Sequence, residues 1–254
     1  MRTLALIPYQ LRYEQKVYWR NPGAALFTFA FPVLLFVLLG ALFRDTTSQT
    51  IGGAGLIQYY TPVIAAYGVM SACFVNLAIT ATFRREIGLL KQVRATPLPV
   101  LSYFGGLAAS AIVNATVIVA LVFAVGTGAY GASWPDDWLG LIVTLVVGAA
   151  TFCALGLAVS ALVPNADAAP AILNLVFLAL LVVSGGFFPI ASSSLLNQIA
   201  KFFPLRHMIE GAFAAFTPDT HTGFPWWHVA VIAAWGAAGL AFSLRYFRWE
   251  PKAA

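Results

Sequence analysis

The chain has 254 residues, of which 61% are hydrophobic and 9% charged, with a formal net charge of +5. An ordinary globular domain is about 45–50% apolar and about 25% charged, so this chain has too little charge to cover a soluble surface. Intrinsic disorder is excluded as well, because disordered chains are poor in apolar residues and rich in charge. What remains is an integral membrane protein, and its six charge-free runs are continuous rather than alternating, which disfavours a membrane β-barrel.

The first element in chain order is an amphipathic helix over residues 1–22. Leu4, Ile7, Leu11 and Tyr18 recur at roughly helical spacing, and Arg12, Lys16 and Arg20 form one polar stripe. That pattern fits a helix lying along the inner membrane surface. It serves either as a lipid anchor or as a contact surface for a cytoplasmic partner. The segment lacks the apolar core and small-residue cleavage site of a secretory signal, so the first apolar run is expected to stay as an anchor.

A helix needs about 20 apolar residues to cross a bilayer. Runs of that length predict spans over residues 24–43, 57–82, 100–128, 139–162, 171–189 and 227–247. Six spans put both termini on one side, and basic residues decide which. Eleven of the 14 Lys and Arg fall on the side of the termini and of the loop after span 2. Only Arg44, Lys201 and Arg206 fall on the other. The termini are therefore expected in the cytoplasm. Trp19 and Trp249 flank the inner ends, while Trp134, Trp138, Trp226 and Trp227 flank the outer ends, as in an interfacial aromatic belt.

No Asp, Glu, Lys or Arg stands in the middle of a predicted span. Proton-coupled carriers usually keep such a group in the membrane, which counts against a secondary carrier. The spans hold Asn76, Asn114, Asn174, Thr80, Thr116, Thr144, Thr151, Ser160 and Ser184 instead. Helix–helix hydrogen bonding is the plainer use for these; contact with a polar part of a substrate is the other. Ala150, Ala154 and Ala158, and Gly156 with Ser160, have the spacing of close helix packing. Cys73 and Cys153 sit in apolar runs and read as small buried hydrophobes, not a disulfide framework.

Between spans 2 and 3 the sequence runs from Phe83 to Pro99 and carries Arg84, Arg85, Glu86, Gly88, Lys91 and Arg94. Ile87, Leu90 and Val93 give a short helical period over residues 84–98, stopped by Pro97. Bare topology needs fewer residues, so the segment reads as a docking element. After span 5, Ser184-Gly185-Gly186-Phe187-Phe188-Pro189 breaks the helix. Residues 190–218 are too apolar for a free loop and too interrupted for a seventh span, which fits a half-inserted hairpin.

These segments resemble the membrane subunit of ABC-2 type exporters, in the branch that moves drugs, antibiotics and lipid-like molecules. Arg85 to Lys91 with Arg94 to Pro99 is similar to the family's coupling helix. Ser184 to Pro189, with Phe203-Pro204-Leu205-Arg206-His207, is similar to its broken fifth helix and re-entrant outer hairpin. Many members carry a second acidic residue soon after the Gly-Leu pair; here Leu90 and Lys91 stand there. The resemblance implies an all-α fold, six spans, and a prokaryotic plasma or inner membrane. It implies a second membrane chain, identical or related, and a separate cytosolic subunit that hydrolyses Mg-ATP. No G-x-x-x-x-G-K-[ST] phosphate loop is present here, so no cofactor is expected on this chain. Arg84, Arg85, Glu86, Gly88, Lys91 and Arg94 would contact the ATPase, with Glu86, Arg85, Lys91 and Arg94 making ion pairs and Gly88 allowing close backbone approach. The substrate route would follow spans 1, 2 and 5, with Phe31, Phe36, Asn76, Asn174 and Phe177 as candidates. Gly185, Gly186, Phe188, Pro189 and Pro204 would form an outer gate. The expected function is efflux of an amphipathic or hydrophobic molecule, with a lipid-linked glycan exporter, or an ATP-independent channel or carrier, as alternatives.

An embedded enzyme needs a catalytic constellation. His207, His221 and His228, with Glu210 and Asp219 nearby, match no metal-ligand spacing, so neither catalytic nor metal-binding residues are assigned. No nucleic-acid partner is expected.

Overall fold

In a computed structural model, residues 5–43, 46–47, 55–186, 195–216 and 224–247 are described. Every element among them is a helix, apart from an isolated bridge between Thr47 and Gly55. In chain order they are α1 (Ile7–Trp19), α2 (Pro22–Phe43), α3 (Leu56–Glu86), α4 (Leu89–Arg94), α5 (Val100–Tyr130), α6 (Trp138–Leu162), α7 (Ala169–Val183), α8 (Leu195–Ala200), α9 (Pro204–Ala214) and α10 (Trp226–Tyr246). Helices α3, α5, α6 and α10 are long and apolar enough to cross a membrane. Two shorter apolar helices, Thr28–Phe43 within α2 and Ala169–Val183, accompany them. The chain is an all-α, multi-pass membrane protein.

Helix α3 is the centre of the fold. Its most apolar stretch is 78% buried, against 17% for α10. With a mean hydropathy of 1.8 it is less apolar than α5 and α6, both at 2.4, and it carries Tyr59, Tyr60, Thr61, Tyr67 and Ser71. The two facts agree physically: polar side chains are tolerated at membrane depth where protein, not lipid, surrounds them. α2, α5, α6 and α9 pack around it. Within α3, residues Ser71–Asn76 form a π-helical segment that no sequence feature announces. Helix α6 approaches closely there. A Cβ on Gly156 would stand 2.9 Å from the carbonyl oxygen of Phe74, so only glycine fits. Cys73 and Cys153 are free and buried in this region.

Several boundaries differ from expectation. Span 2 does not stop at residue 82; α3 continues to Glu86, so Arg84, Arg85 and Glu86 belong to its last turn and not to a separate coupling helix. The segment 84–98 is therefore not one helix: Gly88 breaks it at φ 75°, and only Leu89–Arg94 is helical beyond. The expected span 171–189 is shorter, because α7 ends at Val183 where Ser184 closes the helix and Gly185 takes a left-handed conformation at φ 82°. Residues 187–189 lie outside the described residues.

The N-terminal helix α1 does more than rest on lipid. It packs along the start of α5, with Ile7 over Gly105 and Gln10 over Gly106. Gln15 donates to the Ser110 hydroxyl at 2.9 Å and to Asn114 Oδ1 at 3.1 Å. At 31 residues α5 is about 46 Å long, well beyond a hydrocarbon core of about 30 Å. The excess at its first turns gives α1 a surface to pack on. As the periodicity requires, Ile7, Leu11 and Tyr18 turn inward while Arg12, Lys16 and Arg20 stay exposed.

Candidate coupling site

The last turn of α3 places three consecutive charged residues on three different neighbours. Arg84 is buried and turns towards α1. Its Nη1 and Nη2 donate to Glu14 Oε1 and Oε2 at 2.7 and 2.6 Å, and Nη1 also donates to the Tyr103 hydroxyl at 2.9 Å. Both partners are nearly sealed from solvent, Glu14 at 3% exposure. Gln10 donates to the same Glu14 carboxylate at 2.8 Å. A buried charge is tolerated only when paired and hydrogen-bonded, and here both conditions hold.

Arg85 turns the opposite way. At 2% exposure it reaches the C-terminal end of α6 and donates to the carbonyls of Ser160 and Val163, both at 2.7 Å. A helix C-terminus carries unpaired carbonyls and partial negative charge, so a guanidinium there satisfies both. Glu86 is exposed and accepts from the backbone N–H of Ala166, in the link between α6 and α7. One turn of α3 thus holds α1, the end of α6 and the approach to α7.

Beyond this turn the chain reverses at Gly88, whose absent Cβ would meet nothing within 4 Å. The requirement for glycine within this chain is therefore its positive φ, not close packing. Helix α4 then presents Lys91, Gln92 and Arg94 to the outside, with Glu86 and Ile87 beside them, while Leu90 is fully buried and anchors the helix. The six residues expected at the ATPase contact divide accordingly. Glu86, Lys91 and Arg94 are exposed, whereas Arg84 and Arg85 are buried within the chain, which departs from the ATPase contact expected of both and the ion pairing expected of Arg85. The buried acid Glu14 and its neighbour Tyr103 carried no assigned role in the sequence. The only hint was an acid on the face of the first helix that carries Ile7, Leu11 and Tyr18, opposite the Arg12, Lys16, Arg20 stripe.

The expected substrate residues divide between buried and outward-facing positions. Phe36 is fully buried and meets Tyr130 edge-on, with ring centroids 5.9 Å apart. Asn76 donates to Thr28 at 3.2 Å, tying α3 to α2. Phe177 meets Tyr67 edge-on from α7. Phe31 and Asn174 face outward, Asn174 donating to the carbonyl of Pro170 in its own helix. Phe36, Asn76 and Phe177 each make a contact between helices. Of the outer-gate residues, Gly185 accepts from the Tyr59 hydroxyl at 2.7 Å and Gly186 packs against Tyr67. Pro204 is buried as the first residue of α9. Phe188 and Pro189 lie outside the described residues. Arg206 donates to the Ser184 carbonyl at 3.3 Å, so α9 is fastened to the broken end of α7.

Comparison with curated proteins finds no match. A family model described as ABC-2 type transporter matches residues 8–217, from α1 to just past α9, and so spans the whole three-way clamp and α4. The chain belongs to the ABC-2 type transporter family, as the membrane subunit of an ABC transporter.

Proposed function

We propose that the chain is the membrane half of an ATP-driven exporter for an amphipathic or hydrophobic molecule. A drug, an antibiotic or a lipid-like compound fits this description. A separate cytosolic subunit binds Mg-ATP, and two membrane chains, identical or related, form the pathway between them. The chain crosses a prokaryotic plasma or inner membrane six times, with both termini in the cytoplasm and residues 190–218 forming an outer re-entrant hairpin.

The observation that supports this reading is the exposed helix α4, set off by Gly88 from the clamped end of α3. A push on Glu86, Lys91 and Arg94 would pass through Leu90 and the Gly88 turn into α3. Because Arg84 is bonded to α1 and Arg85 to α6, the push would move these helices together. Glu86 would carry it on towards α7 through Ala166. Closure of an ATPase dimer would in this way re-angle α2, α3 and α7, along which the substrate moves.

Affinity isolation from native membranes in mild detergent, read by intact-complex mass spectrometry, tests the proposal. A soluble ATPase recovered at 1:1 with this chain is the expected result, and the same mass distinguishes two identical membrane chains from two different ones. Recovery of this chain alone across several detergents overturns it in favour of a self-sufficient channel or carrier.

A further inference from the structure

On the far side of the molecule, α9 and the first turn of α10 bring together two histidines and a carboxylate. His207 Nδ1 and His228 Nδ1 stand 3.0 Å apart, and His228 Nδ1 is 3.7 Å from Glu210 Oε2. One ligand atom from each residue lies within 4.8 Å of the other two. His207 and Glu210 share a face of α9 at i, i+3, and His228 comes from 21 residues further along. That distance in sequence is why the histidine spacing resembles no metal motif. The approach depends on Gly211, where a Cβ would already stand 3.3 Å from the Cβ of His228.

We propose that His207 Nδ1, His228 Nδ1 and Glu210 Oε2 bind a Zn²⁺-class metal ion that ties the outer hairpin to the last helix. Each of two of the ligands has the outer support such sites require. His207 Nε2 faces the carbonyl of Lys201 at 2.7 Å and so carries its hydrogen, which leaves the Nδ1 lone pair of the neutral ring directed at the site. Glu210 Oε1 is held by Arg206 at 2.7 Å, which orients the carboxylate and leaves Oε2 to the metal. The Arg206 charge opposes a dication, and the Glu210 charge offsets it. Two ligand atoms at about 2.0–2.1 Å from a tetrahedral centre stand roughly 3.3 Å apart. The observed 3.0 and 3.7 Å bracket that value, and the third pair, His207 with Glu210, lies within 4.8 Å. Side-chain exposures of 22% for His228 and 29% for Glu210 leave an entry path and a fourth position for water. Two imidazoles and one carboxylate favour Zn²⁺ or its transition-metal neighbours over Mg²⁺ or Ca²⁺.

The test uses the full chain in detergent, purified without a histidine tag, so its outcome does not depend on transport or on any ATPase. Zn²⁺ is titrated calorimetrically, with Mg²⁺ as control, and the loaded protein is read by X-ray absorption at the zinc edge. One Zn²⁺ per chain is expected, with imidazole scattering and a first shell at about 2.0–2.1 Å. His228→Gln, at a half-buried position, and Glu210→Gln should each weaken binding by at least about tenfold, while both variants elute as monodisperse species. Lack of saturable binding, a spectrum without imidazole scattering, or equal binding by both variants overturns the site and leaves a histidine–histidine hydrogen bond in its place. The spectrum of the unmodified chain decides the matter even if a variant fails to fold.

Discussion

Arg84 and Glu14 form a two-pronged ion pair at 2.7 and 2.6 Å between helices 70 residues apart in sequence. Each terminal nitrogen meets its own carboxylate oxygen, the geometry in which Arg–carboxylate pairs are strongest. The pair fixes α1 to the end of α3, and Tyr103 adds α5 to the same knot. The N-terminal helix is therefore fixed to the end of α3 from which the chain turns into α4.

Glu14→Gln should destabilise the chain by about 3–5 kcal/mol, because it leaves the Arg84 guanidinium buried without a counter-charge. Arg84→Gln should do comparable damage. The double variant should lose less than the two single losses added together, since each change removes the same interaction. Unfolding of the detergent-solubilised chain in a double-mutant cycle measures this. Strict additivity would show that the pair is not coupled.

Arg85→Ala should remove two charge-assisted hydrogen bonds from the end of α6, each of the order of 1.5–3 kcal/mol. The carbonyls of Ser160 and Val163 would be left without that donor. Arg85→Lys should recover only part of the loss, because one ammonium cannot reach two carbonyls as a planar guanidinium does. Amide hydrogen exchange gives the local readout: faster exchange over the last turn of α6, in the order Ala, Lys, Arg, is expected. Unchanged exchange in the alanine variant would remove the capping role.

The features legible in the sequence are those encoded by composition over a whole turn or more. Charge-free runs mark α2, α5, α6 and α10, and the Arg12, Lys16, Arg20 stripe marks the exposed side of α1. What sequence does not announce depends on a contact distant in the chain. The dual arginine of residues 84 and 85 reads as ordinary inner-face charge until Glu14 and the end of α6 are seen in reach. The π segment at Ser71–Asn76 lies where Gly156 packs closely on Phe74, a contact that no local pattern encodes. Gly88 was conspicuous within the motif, but its reason, a positive φ in open space, is a property of the backbone path. His207 and His228 show the same limit on the opposite side of the molecule.

Tyr67 reports on the outer half of α3. Its buried hydroxyl has no hydrogen-bond partner among the described residues. Tyr67→Phe should thus be neutral or slightly stabilising, because a buried unpaired hydroxyl is removed. Gly186→Ala should be severe, since its Cβ would overlap the Tyr67 hydroxyl and stand 2.9 Å from the Leu181 carbonyl. Combining the two changes should rescue only part of the loss, because the Leu181 contact and the Tyr67 ring remain. Thermal inactivation of the three variants in detergent measures the order. A fully tolerated Gly186→Ala would show that the broken end of α7 moves away from α3 readily.

Gly88 offers the sharpest separation of folding from coupling. A residue with a Cβ in the left-handed region loses about 1–2 kcal/mol, while asparagine visits it more readily. No atom lies within 4 Å of the position a Cβ would take, so side-chain bulk adds nothing inside the chain and the backbone term stands alone. Gly88→Asn should therefore be mild, Gly88→Ala intermediate and Gly88→Val worst, β-branched residues being the least suited to positive φ. The residues that clamp α3, Arg84 and Arg85, lie before the turn and keep their partners in every variant. Membrane insertion and the overall unfolding temperature should accordingly change little along the series. The direction of α4, and with it the response of transport to ATP, should degrade in the order Asn, Ala, Val. Transport into inverted vesicles, set beside the amount of inserted protein, makes the comparison. Loss of inserted protein in step with transport would assign Gly88 to folding; loss of transport at constant insertion assigns it to the link between α4 and the membrane helices.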